Sequence, residues 1–305
     1  MIVERMAHEL GLPATYITNL SRGASYEYKE YPIPKRSGGY RLIQHPSRRL
    51  KALQRWLLLN VIEQLPVHAA ATAYKKGKSI FANAQTHAGS RYLLRMDFQN
   101  FFPSITEDDL RTYFSQHPGF FSLWDATDVD CFCGLVCRWR ALTIGAPTSP
   151  ALSNVVCHDL DVSLQALAEA HAVVYTRYAD DLFFSTKEPN ILRTIEREVV
   201  DLVAKLTIPA KLRLNGTKTR PSSKKRARHV TGIVLGSDGA PHIGRALKRK
   251  IRALIYGYSG LDQNARASLA GMIAYASGFD PEFINSLIAK YGLARVRTAM
   301  KGASS

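Results

Sequence analysis

Two adjacent acids interrupt an apolar run near the middle of this sequence. Asp180 and Asp181 lie between VVYTRYA and LFFS, which both have the composition of buried strands. Adjacent carboxylates repel each other, and their burial is costly unless a positive group lies beside them. We predict strands at 173–178 and 182–186, with Ala179 and Asp180 in a tight turn. Asp is also a favoured residue in turns that have no chemical role.

A third acid, Asp97, ends an apolar strand predicted at 93–98. If this strand pairs with the Asp180 hairpin, three carboxylates meet at one edge of a sheet. Mg²⁺ is commonly bound by one or two carboxylates together with substrate phosphates, and two such ions can assist a phosphoryl displacement. The sequence therefore predicts a magnesium site in which Asp97, Asp180 and Asp181 are the catalytic and metal-binding residues.

The remaining predicted elements do not alternate regularly between strand and helix. Two hairpins are predicted, at 28–45 around Gly38-Gly39 and at 229–243. The predicted helices cover about 1–22, 49–65, most of 107–140, 151–170, 190–206 and the segment from 244 to about 300. This mixture predicts the α+β class, with helices packed on one face of a largely antiparallel sheet.

Composition and net charge limit the classes of molecule that this protein is expected to bind. The 305 residues, 46% of them hydrophobic, are enough for one large domain or two to three packed subdomains. A net charge of +16 favours a polyanion such as nucleic acid. No apolar run is long enough to span a bilayer, so we expect no membrane partner. The four cysteines lack zinc-site spacing and are expected to be reduced thiols of a cytosolic protein.

Two basic clusters follow the acidic motifs along the chain. The first occupies 222–229 and the second lies on the helix predicted to begin near residue 244. Their cationic side chains include Lys224, Lys225, Arg226 and Arg228 in the first cluster, and Lys248 and Arg249 in the second. Such clusters can follow a phosphate backbone and make binding salt-sensitive, although charge runs also occur on solvated surfaces.

Several segments together resemble reverse transcriptases. TRYADDLFFS and the earlier RMDFQNFFPSI are similar to the catalytic motifs of that family. KRSGGYRLIQHPSRRLKALQRWL resembles its fingers segment, IGAPTSPALSN the segment that contacts template and nucleotide, and LNGTKT the next palm motif. The stretch beginning at Asn83 and ending at His87 fits NAxxH, and the VTG stretch at 230–232 fits a second signature of bacterial retron enzymes. The resemblance extends from about residue 28 to 245.

The resemblance implies a right-hand polymerase with fingers, palm and thumb. The implied divisions are an N-terminal helical extension at 1–27, fingers with the NAxxH region at 28–92, a palm at 93–243 and a helical thumb at 244–305. Elements at about 107–145 would also belong to the fingers. The implied activity is RNA-directed DNA synthesis, a nucleotidyl transfer.

The resemblance also assigns roles to individual residues. Asp97 and Asp180 would be the ligands of two Mg²⁺ ions, with Mn²⁺ as an alternative, and Asp181 and the Phe98 carbonyl would complete the shell. Phe102 would exclude a 2′-hydroxyl by sterics, although it could also be an ordinary core residue. The other implied nucleotide-binding residues are Lys35, Arg36, Arg41, Gly145, Ala146 and Lys218. Ile144 stands where related enzymes commonly carry Gln, so a side-chain contact to the nucleotide is not expected there.

The partner implied for a retron enzyme is a structured noncoding RNA, msr-msd, in the bacterial cytoplasm. That RNA would be the template and would supply a guanosine 2′-hydroxyl as primer, so that dNTPs are built into a branched, RNA-linked single-stranded DNA (msDNA). The NAxxH and VTG stretches would contact the RNA through Asn83, His87, Val230, Thr231 and Gly232. Family members act in anti-phage defence with a separate effector or toxin protein.

Two alternatives stay open from the sequence. The first is another bacterial reverse transcriptase, either group II intron-like or diversity-generating, or a template-independent relative. These enzymes lack the NAxxH and VTG pair. The second is a non-catalytic RNA-binding module on a palm scaffold. Retention of Asp97, Asp180 and Asp181 argues against the module, because without metal the cluster only costs stability.

Overall fold

A computed structural model of the protein describes residues 1–35, 38–278 and 280–302. The chain forms two compact units. The larger unit comprises Met1–Lys78, Leu94–Phe184 and Asn190–Arg220. The smaller unit comprises Ser79–Leu93, Ser185–Pro189 and Pro221–Ser305. The division into fingers, palm and thumb stays a prediction.

The chain begins with two helices and a hairpin. These elements and the helix after them are α1 (Ile2–Leu10), α2 (Ala14–Gly23), β1 (Tyr28–Pro34), β2 (Tyr40–Pro46) and α3 (Arg48–Asn60). The strands pair antiparallel, with Tyr28 opposite Pro46, so the predicted hairpin is confirmed. The Ser47 side chain accepts a hydrogen bond from the Leu50 amide and caps α3.

The segment leading to the predicted catalytic acids combines one strand with four helices. It contains α4 (Ile80–Ala88), β3 (Tyr92–Asp97), α5 (Glu107–Gln116), α6 (Pro118–Phe121) and α7 (Ala126–Val136). Capping boxes fix the start of two helices: Thr106 with Asp109 for α5, and Asp125 with Asp128 for α7. The prediction that 107–140 is mainly helical is confirmed.

The single helix predicted at 151–170 is wrong. The segment forms α8 (Ser149–Val156) and α9 (His158–Ala170), because Cys157 has a ψ of 9° and leaves helical geometry. Apolar spacing continues across this residue, so periodicity alone does not reveal the break. The following elements, β4 (Val174–Tyr178), β5 (Asp181–Thr186) and α10 (Ile191–Ala204), agree with the prediction.

The C-terminal part begins with short strands and ends with helices. These are β6 (Arg220–Ser223), β7 (Arg228–Val230), β8 (Ile233–Leu235), β9 (Pro241–His242), α11 (Arg245–Tyr256), α12 (Gln263–Ser277), α13 (Pro281–Tyr291) and α14 (Leu293–Lys301). The segment predicted as a hairpin at 229–243 forms three strands, β7, β8 and β9. A turn in which the Gly236 amide donates to the Ala240 carbonyl at 2.8 Å brings β9 back alongside β8.

The four-stranded sheet has the order β4-β5-β3-β6 and carries the predicted acids. Each unit has its own core. Phe98, Phe132 and Phe183 are buried in the larger unit, and the side chains of Ile251, Ile273 and others form a core among the last four helices. The mixture of helices and sheets confirms the α+β class.

Two expectations from composition concern the membrane and the thiols. Within the described residues, no helix combines the length and apolarity that crossing a bilayer requires. All four cysteines are free and buried. Burial raises the pKa of Cys133 and of Cys157 to about 12, so these thiols stay protonated at neutral pH.

Candidate active site

The turn between β4 and β5 brings Asp180 to the end of β3. Ala179 has a φ of 56°, the left-handed conformation that lets the chain reverse over two residues. The Phe98 amide then donates to the Asp180 carbonyl at 3.0 Å. Asp97 and Asp180 therefore lie at the ends of two neighbouring strands, as predicted from the apolar runs.

Asp97 is bound by the lysine of the LNGTKT motif. Asp97 is 3% exposed, and its carboxylate accepts from Lys218 Nζ at 2.8 Å and 3.1 Å. The Asn215 amide also donates to the Asp97 carbonyl at 2.7 Å. Two segments that are distant in sequence are thus joined directly at the first acid.

Asp181 is bound by an arginine that the sequence reading missed. Arg95 donates to both carboxylate oxygens, at 2.9 Å and 3.0 Å. Burial raises the pKa of Asp181 to about 6, although Arg95 acts to lower it. A signal was available, because Arg95 lies two residues before Asp97 on β3 and side chains two apart share one face of a strand.

Asp180 differs from the other two acids. Burial raises the pKa of its carboxyl, and the charge of Asp97 adds to that effect. Within 1–35, 38–278 and 280–302, no Lys or Arg lies within ion-pair distance of its carboxylate. The described part of the chain also holds no group of three or more His, Cys, Asp or Glu side chains placed to bind a metal ion. Asp181 is paired with Arg95, and, besides burial, the charges of Asp180 and Asp97 both raise its pKa, so the three acids lie near one another. Their sharing of one metal site stays a prediction.

A buried ion pair lies beside the turn that carries Asp180. Arg177 and Asp161 are both fully buried and joined at 2.8 Å and 2.6 Å. Arg177 Nη1 also donates to the Ala179 carbonyl at 3.2 Å and to Asn154 Oδ1 at 3.1 Å. Asn154 in turn donates to the Ala73 carbonyl at 2.8 Å. This network fixes the residue immediately before Asp180.

A cleft of about 580 Å³ opens beside Asp180 in the larger unit. Its lining includes six of the predicted site residues, Lys35, Arg41, Phe98, Phe102, Asp180 and Lys218. The predicted Arg36 lies outside the described residues. The cleft has the size and the convergent polar groups typical of a small-molecule site.

Gly145 and Ala146 support the cleft through the backbone. A Cβ on Gly145 would lie 2.6 Å from the Gln44 carbonyl oxygen, and its φ is 127°, so only glycine fits there. The Ile144 carbonyl accepts from the Gln44 amide at 2.8 Å while Ile144 lines the cleft. Ala146 is buried. The segment therefore packs against β2 and presents an aliphatic wall.

Tyr74 is a second cleft residue that the sequence reading missed. It has a φ of 59°, and its ring centroid lies 6.3 Å from that of Phe102. Burial and the nearby Asp180 raise the pKa of its phenol. No pattern in the sequence marks Tyr74, because its position depends on the contacts of the preceding residues with Arg177 and Asn154.

Comparison with known proteins agrees with this geometry. The family described as reverse transcriptase (RNA-dependent DNA polymerase) matches residues 33–235. The chain is 35% identical over 296 residues to the retron Ec83 reverse transcriptase of Escherichia coli, covering 92% of each chain. It is 31% identical over 278 residues to the retron Ec86 reverse transcriptase of the same organism, covering 88% of this chain and 84% of that relative. This chain is a retron reverse transcriptase.

A solved telomerase shows the same fold at low identity. The structure of telomerase from Candida albicans in complex with a TWJ fragment of telomeric RNA has a TM-score of 0.51 at 11% sequence identity. The match covers 91% of this chain and 61% of that one. The reverse transcriptase therefore has the right-hand polymerase fold, and as a member of its family it is an RNA-directed DNA polymerase.

The NAxxH and VTG residues of this reverse transcriptase lie mostly in the interior of the smaller unit. Asn83, His87 and Val230 are buried. His87 Nδ1 lies 2.8 Å from Ser185 Oγ, and burial lowers the pKa of the imidazole to about 3. Thr231 donates to the Ile80 carbonyl at 3.4 Å, and Gly232 has a φ of 87°. These residues fix the packing of α4 against the three-stranded sheet, and their predicted RNA contact stays a prediction.

One predicted phosphate contact of the reverse transcriptase needs correction. Arg228 is fully buried and donates to the carbonyls of Ser90 and Gly236, so its guanidinium does not face solvent. This site was misread because charge density along a sequence does not show which cation turns inward. Lys248 is partly exposed and pairs with the buried Asp280 at 2.8 Å, and its RNA contact stays a prediction. The other predicted cations, Lys224, Lys225, Arg226 and Arg249, are exposed.

Proposed function

We propose that this enzyme copies part of a cognate msr-msd RNA from an internal guanosine 2′-hydroxyl, giving branched, RNA-linked msDNA. The observation that carries the proposal is the cleft in which Asp180, Lys218, Arg41 and Phe102 converge beside Asp97. Retron enzymes are also the relatives it matches over most of its length. We further propose that it acts in the bacterial cytoplasm, in anti-phage defence with a separate effector protein.

The residues present fit magnesium. Asp180 offers a half-buried carboxylate with no cationic partner among the described residues. Asp97 offers a second one, whose one cationic partner among the described residues is the half-exposed Lys218. Hard divalent ions take such oxygens together with substrate phosphates, so two protein carboxylates and the Phe98 carbonyl suffice. When bound, two Mg²⁺ ions, or Mn²⁺ in their place, activate the attacking hydroxyl and stabilise the leaving oxygen.

The chain's own residues would bind and orient the nucleotide. Arg41 and Lys35 would hold the triphosphate, since a guanidinium fork makes bidentate contacts with phosphate oxygens. Lys218 would leave Asp97 and neutralise or protonate the departing pyrophosphate. Phe102, half-buried at the floor of the cleft, would meet the 2′-position of the sugar. The exposed Lys224–Arg226 segment and Arg249 would contact RNA phosphates.

Replacement of Asp180 tests the site. Asp180→Asn keeps the shape of the side chain but removes its charge. The metal-assisted stabilisation of the transition state, worth several kcal/mol, is then lost. We expect the rate of DNA synthesis to fall more than about a hundredfold. RNA binding stays near wild type, as measured by anisotropy. Asp201→Asn, an exposed acid on α10, is the matched control. Primer extension by Asp180→Asn at near wild-type rate would mean that the site is assigned wrongly.

The product tests the retron mechanism separately. Nucleic acid copurified with the active enzyme is sequenced and treated with a debranching enzyme. A 2′-5′ branched RNA–DNA species supports the proposal, whereas linear products alone indicate another class of bacterial reverse transcriptase. Phage plating on cells that carry the gene and its neighbours, with and without Asp180→Asn, tests the role in defence.

Sugar selection gives a further prediction. Phe102→Ala removes the ring from the cleft, so ribonucleotides enter more readily. The ratio of kcat/KM for a dNTP to that for the matching rNTP is expected to fall at least about tenfold, the usual effect of losing one good steric discrimination. Phe102→Tyr keeps the ring and should keep the ratio. Unchanged discrimination in Phe102→Ala would remove the proposed role.

A further inference from the structure

The larger unit carries a strained turn that presents a large aromatic ring to solvent. Trp139 and Arg140 form the two-residue loop of a small hairpin, in which the amides of Arg138 and Ala141 bond each other's carbonyls at 2.8 Å and 3.1 Å. Their φ values are 49° and 64°. Loops of this type favour Asn-Gly, because both central residues need positive φ. Bulky residues in this conformation are uncommon and concentrate at functional sites.

Contacts with neighbouring residues hold the Trp139 ring in position. The Trp139 amide donates to Ser25 Oγ at 3.1 Å, and Arg138 Nε donates to the Ser25 carbonyl at 3.0 Å. The Arg138 guanidinium lies 5.9 Å from the Trp139 ring centroid and 5.4 Å from that of Tyr28. Trp139 is therefore pre-organised although it is 58% exposed.

A second exposed aromatic side chain accompanies it. Tyr26 is 79% exposed, and its ring meets Trp139 edge to face with centroids 5.1 Å apart. A cleft of about 400 Å³ adjoins Trp139, and Arg22 lines the same cleft. No acidic side chain of the described residues lies within ion-pair distance of Arg22. The other local cations are already paired, Arg138 with Glu30 and Arg140 with Asp108.

We propose that Trp139 and Tyr26 form a stacking platform for an unpaired base of single-stranded nucleic acid, with Arg22 contacting its phosphate. Nucleobases stack on aromatic faces without regard to sequence, and proteins that bind single strands combine such rings with nearby cations. The enzyme's template and product both contain single strands, and its net charge is +16. Since Glu30 and Asp108 neutralise the neighbouring arginines, stacking contributes more here than charge.

The platform lies outside the residues proposed for nucleotide addition, so binding can be tested without catalysis. The probes are a fluorescein-labelled 12-nucleotide RNA, a DNA strand of the same sequence and the blunt RNA duplex. Anisotropy gives Kd for each in the Asp180→Asn background, which separates this test from the proposed polymerase site.

The decisive variant is Trp139→Asn, because Asn tolerates positive φ better than Trp does. The turn then loses strain as well as the ring. We expect single-strand affinity to fall about fivefold to a hundredfold, the usual effect of losing one stacked base. Duplex affinity stays unchanged and Tm does not fall. If affinity falls for the RNA strand alone, the platform binds the template. If affinity falls for the RNA and the DNA strand alike, the platform stacks bases of either strand.

Matched variants complete the test. Trp139→Phe keeps a ring and retains most of the affinity, and Phe120→Ala removes a different exposed ring and leaves Kd unchanged. Of the three tryptophans, Trp56 is buried, Trp124 is partly exposed and Trp139 is 58% exposed. Single-strand binding therefore quenches wild-type fluorescence more than that of Trp139→Phe. Unchanged single-strand affinity in Trp139→Asn, or an equal loss for the duplex, would overturn the proposal.

Discussion

Among the described residues, each unit of the molecule buries one arginine completely, and the two charges are compensated differently. In the larger unit, Arg177 is bound by the carboxylate of Asp161, which is also fully buried. In the smaller unit, Arg228 donates to the carbonyls of Ala88, Ser90 and Gly236. No carboxylate lies within ion-pair distance of Arg228 among the described residues, and its Nε has no described partner.

Arg177 is thus stabilised by an ion pair, whereas Arg228 is stabilised by carbonyl dipoles. The Asp161 carboxylate raises the pKa of Arg177, whereas burial lowers the pKa of Arg228. A buried pair is costly to break because the remaining charge has no partner. The pair contacts the turn that carries Asp180, because Arg177 donates to the Ala179 carbonyl. The smaller unit holds Arg228 through hydrogen bonds alone, so we expect that region to tolerate its loss better.

Breaking the Arg177 pair is expected to have the largest effect. Asp161→Asn leaves a buried guanidinium without its counter-ion, so the free energy of unfolding falls by about 3–5 kcal/mol. Urea unfolding measures the change. Asp201→Asn is the exposed control and stays within about 0.5 kcal/mol. A loss below about 1 kcal/mol for Asp161→Asn would mean that the pair is not a structural requirement.

A double variant sharpens the same point by separating stability from activity. Arg177→Met with Asp161→Leu replaces both charges by apolar groups and recovers much of the lost stability, as buried pairs often do. The Ala179 carbonyl nevertheless loses its donor, so kcat stays below wild type. Full activity in a stable double variant would show that the network does not position Asp180.

Loss of the second arginine is expected to have a smaller effect. Arg228→Met removes the charge together with its desolvation cost but leaves the bonded carbonyls without a donor. Each unsatisfied buried group costs about 1–3 kcal/mol, partly offset by the removed charge, so we expect about 2 kcal/mol in urea unfolding. Arg226→Met, exposed two residues earlier, is the control. A loss larger than that of Asp161→Asn would reverse the comparison between the two units.

The sequence predicted the turn that carries Asp180 well because its signal is local. Apolar runs on both sides of Asp180, and a strand ending at Asp97, were enough to predict two neighbouring strand ends. The resemblance then supplied Arg41, Phe102 and Lys218, which do line one cleft. The partner of Asp181 was missed because Arg95 looked like one charge within an apolar strand.

The smaller unit was predicted less well because a sequence does not show which cationic side chains point inward. SSKKRARH reads as a uniform basic stretch, yet Arg228 begins β7 and points inward while Arg226 stays exposed. Strand alternation begins only at Arg228, and a three-residue strand is too short to show a period. Lys248 turns toward Asp280, which lies 32 residues later in the chain, so no local pattern could reveal the contact.

The smallest predicted effect concerns His87 and acid. Its folded-state pKa of about 3 lies below the ordinary value of 6.5, because burial disfavours the charged imidazole. Below pH 6.5 the unfolded chain therefore binds a proton that the folded protein does not, and stability falls as pH falls toward 3. Between pH 7 and 5.5 this amounts to about 1 kcal/mol. Urea unfolding at both pH values, compared with His87→Gln, isolates the contribution. His87→Gln is expected to be less stable than wild type at pH 7. Its free energy of unfolding should fall about 1 kcal/mol less than that of wild type between pH 7 and 5.5. An equal fall in both proteins would mean that His87 can be protonated in the folded protein.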